Sequence, residues 1–501
     1  MAFIFLNKAG HAALNPGPGN FTLRRFSYLW GKLQHMTHIK FGTDGWRAII
    51  AQEFTTDNVA RVSKATADWI RQSSASPSVV IGHDCRFGGE LFAEVSAKVL
   101  CAEGVKVYIA RGFVSTPMVS FGAFTLKATA GVVITASHNP PSYNGFKLKS
   151  GYGGPAIPEE IAKVETLIPD THAIPQTSLR EFEEKGLLQW MDLEQIYYDH
   201  VVKSFDLEAI NNAGIGLAYD AMYGAGQRIA ARIFKNMVTL HCDENPGFHG
   251  QAPEPIHRNL LELSNLLKNN PALMCGLATD GDADRIGMYD ADGNFVDAHH
   301  IILLLIHYLH LYKGYNGKVV MAFSVSEKAK RLCEHYGLPF EITKIGFKYI
   351  CGKMVTEDVL LGGEESGGIA VKGHTPERDG IWCGLLLMEF MAKTGKTLNQ
   401  LIQEVYAITG SFVFDRNDLH LTDALKNSVI DNCKNGVYRS FGKYTVERLE
   451  DIDGFKFHLS PNSWVMIRPS GTEPLLRVYA ESPTRAETDD ILATVKKVVL
   501  G

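Results

Sequence analysis

The sequence predicts an α/β protein of several domains that ends in a smaller α+β domain. Strand-like apolar runs alternate with helix-like runs from residue 40 onward, which is the order of βαβ units. This alternation restarts twice along the chain. Near the carboxyl end, two strand-like runs instead enclose a Pro/Gly loop before a final helix. A chain of 501 residues is too long for one core, and its length alone suggests roughly three or four domains.

The first α/β unit is predicted from residues 78–82, 105–109 and 131–134, which are short apolar runs typical of buried strands. A helix at residues 91–103 separates the first two of these strands. The pattern restarts with a strand at residues 215–220, a Gly-rich segment and a helix. A further strand at residues 274–279 leads into a cluster of aspartates.

A third unit opens with a strand at residues 318–323 and a helix at residues 327–336. The final unit is predicted from strands at 464–468 and 475–480 and a helix at 484–499. We therefore expect three α/β domains, at 40–185, 186–296 and 297–408, and an α+β domain at 409–501. Before them we expect a disordered extension at 1–39. The three similar α/β units suggest a distant internal repetition.

Composition excludes several classes of protein. The net charge is −5 with both signs interspersed, so no nucleic-acid partner is expected. Residues 301–311 are apolar but too short to span a membrane, and we interpret them as a buried helix. The eight cysteines are scattered without a CxxC pair, which argues against disulfides and zinc and favours a reducing, cytoplasmic location.

The first 40 residues contain five basic residues and no acidic one. A transit peptide is one interpretation of this composition. We favour an unstructured extension, or an upstream start with true initiation at Met36, because serine is scarce and Pro/Gly residues at 15–19 interrupt any helix.

Ser137 is a candidate nucleophile. It lies in a short polar loop after the apolar run 131–134, in the segment Thr135-Ala136-Ser137-His138-Asn139-Pro140. A plain turn is the alternative interpretation of this segment alone. No GxSxG elbow surrounds Ser137 and no GxxxxGK[ST] loop occurs, so neither a hydrolase triad nor a nucleotide P-loop is indicated.

Three aspartates follow the strand at 274–279, in the segment Asp280-Gly281-Asp282-Ala283-Asp284-Arg285. Alternate residues of an extended loop point to one side, and converging carboxylates need a cation to offset their repulsion. Oxygen-only ligands suit Mg²⁺. A calcium-binding EF-hand is excluded because Ala291 stands at the twelfth position. A solvated acidic turn is the alternative, and Arg285 argues against it.

Other loops carry groups suited to phosphate and sugar. Arg468-Pro469-Ser470-Gly471-Thr472, with Arg477, offers backbone amides, hydroxyls and guanidinium groups to an anion, although a hairpin turn is equally compatible. Gly363-Glu364-Glu365-Ser366-Gly367 offers a carboxylate and a hydroxyl to a polyol, with an acidic turn as the alternative. Arg378 is a further phosphate candidate. Lys147 could transfer a proton or could be a plain surface lysine.

With these four segments in this order, the chain resembles the α-D-phosphohexomutase family, of the phosphoglucomutase/phosphomannomutase type. The likeness runs from about residue 40 to the end. It implies four domains around a central cleft: three related α/β domains with mixed sheets and a C-terminal α+β domain. The expected reaction interconverts hexose 1-phosphate and hexose 6-phosphate through a phosphoserine enzyme and a hexose 1,6-bisphosphate intermediate, with glucose as the expected hexose.

The resemblance also implies roles for individual residues. Ser137 carries the phosphoryl group and binds Mg²⁺ with Asp280, Asp282 and Asp284, while Glu364 and Ser366 bind sugar hydroxyls. The non-reacting phosphate is bound by Arg468, Ser470, Gly471 and Thr472, and other residues expected at the cleft are Thr43, Arg47, His138, Lys147, Arg285, Lys344 and Arg378. Of these, Arg47, His138, Lys147 and Arg285 are expected to be catalytic.

The chain departs from the family pattern at two places. Many members have His two residues after the sugar-binding serine, where this chain has Gly368, and many have Thr-Gly-His or Thr-Gly-Trp where it has Ile345-Gly346-Phe347. A mannose- or glucosamine-preferring mutase therefore stays open, as do a non-catalytic sugar-phosphate-binding protein of the same fold and a phosphatase. The expected partners are small hexose phosphates, with hexose 1,6-bisphosphate as activator, in a monomer or homodimer without a membrane partner.

Overall fold

The computed structural model of the chain describes residues 38–460, 462–469 and 475–500. Its first sheet is mixed. In spatial order the strands are Trp46–Ile49, Tyr143–Ser150, Ala130–Ile134, Ser78–His83, Lys106–Ala110 and Leu188–Met191, with Gly154–Pro155 paired to Tyr143–Ser150. The helices of this part are Thr56–Ser73, Gly89–Ala102, Thr116–Thr125, Pro158–Leu167 and Leu179–Glu184.

The second sheet is also mixed and follows the helices Leu193–Ser204 and Leu207–Asn212. Its strands, in spatial order, are Phe295–Val296, Ile286–Asp290, Cys275–Thr279, Leu217–Asp220 and Val238–Leu240. Two α-helices, Gln227–Ile233 and Leu261–Asn269, accompany it, with short 3₁₀ turns at Phe248–Gly250 and His257–Asn259.

The third sheet contains Phe340–Thr343, Lys318–Ala322, Val359–Gly363 and Ile369–Val371 in spatial order. Its helices are Ala298–His307, Lys328–Tyr336, Phe347–Thr356, Gly380–Thr394 and Leu398–Thr409. The expectation of one buried helix over residues 301–311 is wrong at its end. The α-helix stops at His307, a π-helical turn covers Tyr308–Tyr312, and Leu311 is 56% exposed.

One local arrangement recurs in these three sheets. A strand that runs parallel to its neighbour ends in a polar loop, and the chain then returns as an antiparallel strand. The three pairs are Ala130–Ile134 with Tyr143–Ser150, Cys275–Thr279 with Ile286–Asp290, and Val359–Gly363 with Ile369–Val371. Each polar segment singled out by the sequence in these units therefore lies at the carboxyl end of a strand, where α/β folds place ligands.

The fourth sheet differs because all of its pairings are antiparallel. Its strands are Val413–His420, Leu475–Ser482, Ser463–Pro469, Phe455–Ser460 and Arg448–Glu450, beside a small ribbon of Ser440–Phe441 and Tyr444–Thr445. The helices Asp423–Lys434 and Arg485–Leu500 complete this part. Within the described residues, no helix combines the length and the apolar character needed to cross a bilayer.

Glu481 is a buried carboxylate in this fourth part of the chain. It is 2% exposed and its Oε2 has no hydrogen-bond partner among the described residues. Burial raises the pKa of Glu481 to about 7, against the opposing hydrogen bond from Ser326 and the charge of Lys456. The unfolded state binds fewer protons than the folded state between pH 4.5 and 7, so this group costs stability as the pH rises through that window.

We expect Glu481→Gln to stabilise the protein at pH 8 and to leave its stability at pH 5 nearly unchanged. The expected gain is about 1–3 kcal/mol, because a neutral amide avoids burying a charge. Urea unfolding of the variant and the wild type at both pH values measures it. Glu447→Gln, at an exposed position of the same part, is the control. An equal difference at pH 5 and pH 8 would contradict the assignment.

Candidate active site

Ser137 follows the strand Ala130–Ile134 in a backbone conformation that non-glycine residues seldom adopt. Its φ is +52°. Its amide donates to Thr135 Oγ1 at 2.8 Å, and its hydroxyl donates to Asp280 Oδ2 at 2.7 Å. The residue is 1% exposed. Backbone strain of this kind persists only where the surroundings hold it, and it is often found at functional sites.

The three aspartates of the second sheet converge on the same point. Asp280, Asp282 and Asp284 are fully buried, and each offers a carboxylate oxygen within 4.8 Å of the others. The expected extended loop is wrong, because Ala283 has a φ of +57° and the segment turns. This turn, rather than alternation along a strand, brings the side chains together. Burial also excludes the solvated acidic turn.

Lys147 is the counter-charge of this cluster. It lies in the strand Tyr143–Ser150 and is 1% exposed, so the surface-lysine alternative is wrong. Its Nζ lies 2.7 Å from Asp282 Oδ2, 2.9 Å from Asp284 Oδ2 and 2.8 Å from Asp44 Oδ2. Burial alone would lower the pKa of Lys147, but attraction to these carboxylates outweighs burial and raises it. The side chain therefore stays a cation near neutral pH.

The carboxylates fit a divalent cation. Asp282 Oδ1 and Asp284 Oδ1 are buried and have no hydrogen-bond partner among the described residues. Burial, together with repulsion from Asp282 and Asp284, raises the pKa of Asp280 well above its ordinary value. Unsatisfied carboxylate oxygens and clustered negative charge are the donor set that hard cations such as Mg²⁺ prefer.

The remaining catalytic candidates surround Ser137. His138 Nδ1 is 3.4 Å from the Ser137 hydroxyl, and burial together with Arg285 and Arg47 lowers the pKa of His138, which keeps it neutral. Arg47 Nη1 donates to Asn139 Oδ1 at 2.7 Å. The Arg285 amide donates to Asp280 Oδ1 at 3.2 Å, while its Nε is buried without a partner among the described residues.

Glu364 lies at the end of the strand Val359–Gly363 and faces this cluster from the third sheet. It is 6% exposed, and its Oε1 accepts from the Gly346 amide at 3.0 Å. Burial raises the pKa of Glu364 to about 7, and the charge of Arg378 opposes that rise. Ser366 is half-buried in the same loop and Lys344 is exposed. Thr43 packs beside Gly346, since a Cβ there would lie 3.1 Å from Thr43 Cγ2.

Arg378 connects the three α/β parts of the chain. Its Nη2 lies 2.5 Å from Asp44 Oδ2 and 2.6 Å from Asp284 Oδ2, and its Nη1 is 3.8 Å from Glu364 Oε2. It is 3% exposed, so it is already paired in this conformation. The aliphatic part of the Arg378 side chain also explains why position 368 is a glycine, because a Cβ there would clash with Arg378 Cδ.

The fourth part contributes Arg468 and Arg477, which stand opposite each other on neighbouring antiparallel strands. Arg468 Nε donates to Asp453 Oδ1 at 3.0 Å, and Arg477 Nε is 3.9 Å from Asp418 Oδ1. Two guanidinium groups on one face suit an anion. Ser470, Gly471 and Thr472 of the predicted phosphate loop lie outside the described residues, so their roles stay predictions.

Sequence reasoning missed several residues of this site. Asp44 bridges Lys147 and Arg378, and Thr116 Oγ1 donates to Asp282 Oδ2 at 2.5 Å. Asp84 and Arg86, which support the Ser137 loop, were also missed. A signal existed for this last pair, because they directly follow the strand Ser78–His83, which is parallel to Ala130–Ile134. The carboxyl ends of neighbouring parallel strands meet at one edge of a sheet.

Comparison with known proteins agrees with this geometry. Four family models match: phosphoglucomutase/phosphomannomutase alpha/beta/alpha domain I over residues 38–173, domain II over 195–293, domain III over 297–408, and the C-terminal domain over 431–498. The chain belongs to the phosphoglucomutase/phosphomannomutase family. It is therefore a mutase of the phosphohexomutase superfamily, and the expected four-domain architecture is confirmed.

Individual relatives resemble the chain over nearly their whole length. A phosphoglucosamine mutase of Streptococcus mutans is 28% identical over 475 residues, covering 92% of this chain and 98% of that protein. The crystal structure of a Thermus thermophilus protein described as a phosphomannomutase superposes with a TM-score of 0.82 at 33% identity, covering 93% and 100% of the two chains.

A more distant relative shares the fold alone. The N-acetylphosphoglucosamine mutase of Aspergillus fumigatus, crystallised with GlcNAc-6P and magnesium, has a TM-score of 0.57 at 16% identity, with 96% and 99% of the chains covered.

Proposed function

We propose that this protein interconverts hexose 1-phosphate and hexose 6-phosphate through a phosphoserine at Ser137. The observation that carries the proposal is the hydrogen bond of the Ser137 hydroxyl to Asp280, inside a buried three-carboxylate cluster. A free serine is a weak nucleophile, whereas a phosphoserine is a phosphoryl donor. A cation at the carboxylates would offset the added negative charge, which a sugar-binding protein without catalysis does not need.

In the proposed reaction, a sugar hydroxyl attacks phosphoserine and the bond between phosphorus and Ser137 Oγ breaks. A new bond joins the sugar oxygen to phosphorus, and the hydroxyl proton passes to the departing Ser137 Oγ. His138 is suited to carry this proton because its imidazole is neutral and close to Ser137. Lys147, held as a cation, stabilises the phosphoryl oxygens rather than accepting a proton. The hexose 1,6-bisphosphate then turns, and its other phosphate returns to Ser137.

Asp280, Asp282 and Asp284 would hold Mg²⁺ next to Ser137. When bound, the ion supplies Lewis-acid stabilisation of charge on the transferring phosphoryl group. Glu364 and Ser366 would orient the sugar hydroxyls, and Arg468 and Arg477 would bind the phosphate that is not reacting. Because the sugar would span the space between the Ser137 loop and the two arginines, binding of the non-reacting phosphate would position the reacting hydroxyl.

The preferred hexose is the part of the proposal that the sequence left most open. Relatives at 27–29% identity include phosphoglucosamine mutases and a phosphoglucomutase/phosphomannomutase, and the Thermus structure is described as a phosphomannomutase. These names support an aminohexose or mannose substrate better than the expected glucose. We therefore propose a hexose phosphate mutase in which glucosamine phosphate is the first substrate to test.

The deciding experiment is a coupled assay on the 1-phosphates of glucosamine, mannose and glucose, with Mg²⁺ and a trace of the matching 1,6-bisphosphate. Isomerisation that requires the bisphosphate, together with one phosphate on Ser137 by intact mass, is the expected result. Stoichiometric release of inorganic phosphate would favour a phosphatase. Binding of all three sugars without turnover or phosphorylation would favour a non-catalytic protein.

A further inference from the structure

Arg86 lies directly behind the Ser137 loop and donates to its backbone. Its Nη2 donates to the carbonyl oxygens of Ser137 and of Asn139, the latter at 2.6 Å. Its Nη1 donates to the carbonyls of Pro140 at 2.9 Å and Tyr143 at 3.2 Å. One guanidinium therefore binds four carbonyl groups between residues 137 and 143.

Arg86 is itself held in place. It is 2% exposed, and its Nε lies 3.3 Å from Asp84 Oδ2. The same carboxylate oxygen accepts from Thr135 Oγ1 at 2.5 Å, and Thr135 Oγ1 accepts from the Ser137 amide. Asp84 thus links the guanidinium to the amide side of Ser137, while Arg86 binds its carbonyl side. Both peptide groups that flank the Ser137 side chain are fixed.

A phenylalanine from the second α/β part covers the other side of the guanidinium. Phe248 is 1% exposed, and its ring centroid lies 4.9 Å from Arg86 Cζ. A Cβ at Gly281 would lie 2.6 Å from the Ser137 carbonyl oxygen, so the aspartate loop at 280–285 also packs closely on this carbonyl. The aromatic ring keeps water from competing for the four carbonyl groups.

Ser137 needs such support, because a non-glycine residue at a φ of +52° lies above an ordinary backbone conformation in free energy. Without external bonds the loop would relax and re-aim the hydroxyl away from Asp280. We infer that Arg86 is a positioning residue that holds the Ser137 loop in its strained conformation, with Phe248 as its cover. It contacts no reacting atom and acts through the backbone.

The inference has a conformational test and a kinetic test, and only the kinetic one rests on the proposed function. In Arg86→Ala, hydrogen exchange at residues 137–143 should accelerate. Single-turnover phosphorylation of Ser137 by glucose 1,6-bisphosphate, followed by intact mass, should slow by about 10- to 100-fold, the scale on which misplaced reacting groups act. The KM for the hexose phosphate should change by no more than about twofold, since the loops that bind the sugar are untouched.

Rescue separates positioning from a general loss of structure. About 50 mM guanidinium, well below denaturing concentrations, should restore part of the phosphorylation rate of Arg86→Ala. Arg86→Lys should stay slow, because an ammonium cannot bind four carbonyls in a planar fork. Arg228→Ala is the matched control: Arg228 also donates to a carbonyl, that of Phe113, and its guanidinium lies 4.1 Å over the Phe113 ring, but it makes no hydrogen bond to residues 137–143 among those the structure describes.

If Arg86→Ala does not fold, Phe248→Leu serves as the second variant, with an expected slowing of about three- to tenfold. Unchanged exchange at residues 137–143, or an unchanged phosphorylation rate in a folded variant, would overturn the inference. So would equal slowing by Arg228→Ala. If the wild type itself takes up no phosphate, the proposed function fails, while the exchange data still decide the role of Arg86.

Discussion

Ser137→Ala is expected to lose at least about a thousand-fold in mutase turnover, the scale on which losing a covalent nucleophile acts. The variant should still bind hexose phosphates, because Glu364, Arg468 and Arg477 are untouched. It should also show no added phosphate by intact mass after incubation with the bisphosphate. Turnover with the bisphosphate, equilibrium binding and intact mass are the three measurements.

Ser142→Ala is the matched control, since Ser142 is an exposed serine of the same loop. It should keep wild-type turnover and phosphorylation. Near-wild-type rates in Ser137→Ala, after contaminating mutase has been excluded, would show that the phosphoryl group is carried elsewhere. Loss of binding together with turnover would instead point to a collapse of the loop.

Asp282→Asn is expected to reduce turnover by about a hundred-fold or more and to remove the response to Mg²⁺. Asp282 Oδ1 and Asp284 Oδ1 are the buried oxygens of this cluster that have no partner among the described residues, and an amide at position 282 is a poorer ligand for a hard cation. Mg²⁺ should raise the Tm of the wild type by mass action and should raise that of the variant much less.

This thermal shift is a readout independent of activity. Asp292→Asn, an exposed aspartate after the next strand of the same sheet, should behave as the wild type. Chelation should abolish wild-type turnover, and Mg²⁺ should restore it. Full turnover in chelator, or bound zinc by elemental analysis, would be incompatible with a magnesium site at the three aspartates.

Local sequence was sufficient to predict the strands that lead into the polar loops of Ser137 and Asp280. The apolar run before Ser137 predicted a strand that is present at Ala130–Ile134, and the run before Asp280 predicted one that is present at Cys275–Thr279. Such runs are buried on both faces, so their composition alone marks them. The strand Tyr143–Ser150 was not recognised. It carries Lys147 and Lys149, two lysines buried by ion pairs that no local pattern reveals.

The backbone turns that aim the side chains were also beyond local reasoning. Ser137 and Ala283 both adopt positive φ, yet neither is glycine, asparagine or aspartate. The intrinsic backbone preference of serine and of alanine therefore predicts a negative φ at each position. For Ser137, the hydrogen bonds with Thr135 and Arg86 supply the compensation. The bond from Arg86, which lies 51 residues earlier in the chain, exists only after the sheet has formed.

The sequence by itself determined the order of the α/β units, the strand exits that carry the polar loops, and the family. Only the tertiary structure decided which charges meet. Lys147 reaches Asp282 across 135 residues of chain, and Arg378 reaches Asp44 across 334. Side-chain types and short spacings reflect the local backbone, but an ion pair between distant segments forms only where packing brings them within a few ångströms and excludes water, which strengthens their attraction. That packing makes Lys147 a buried counter-charge.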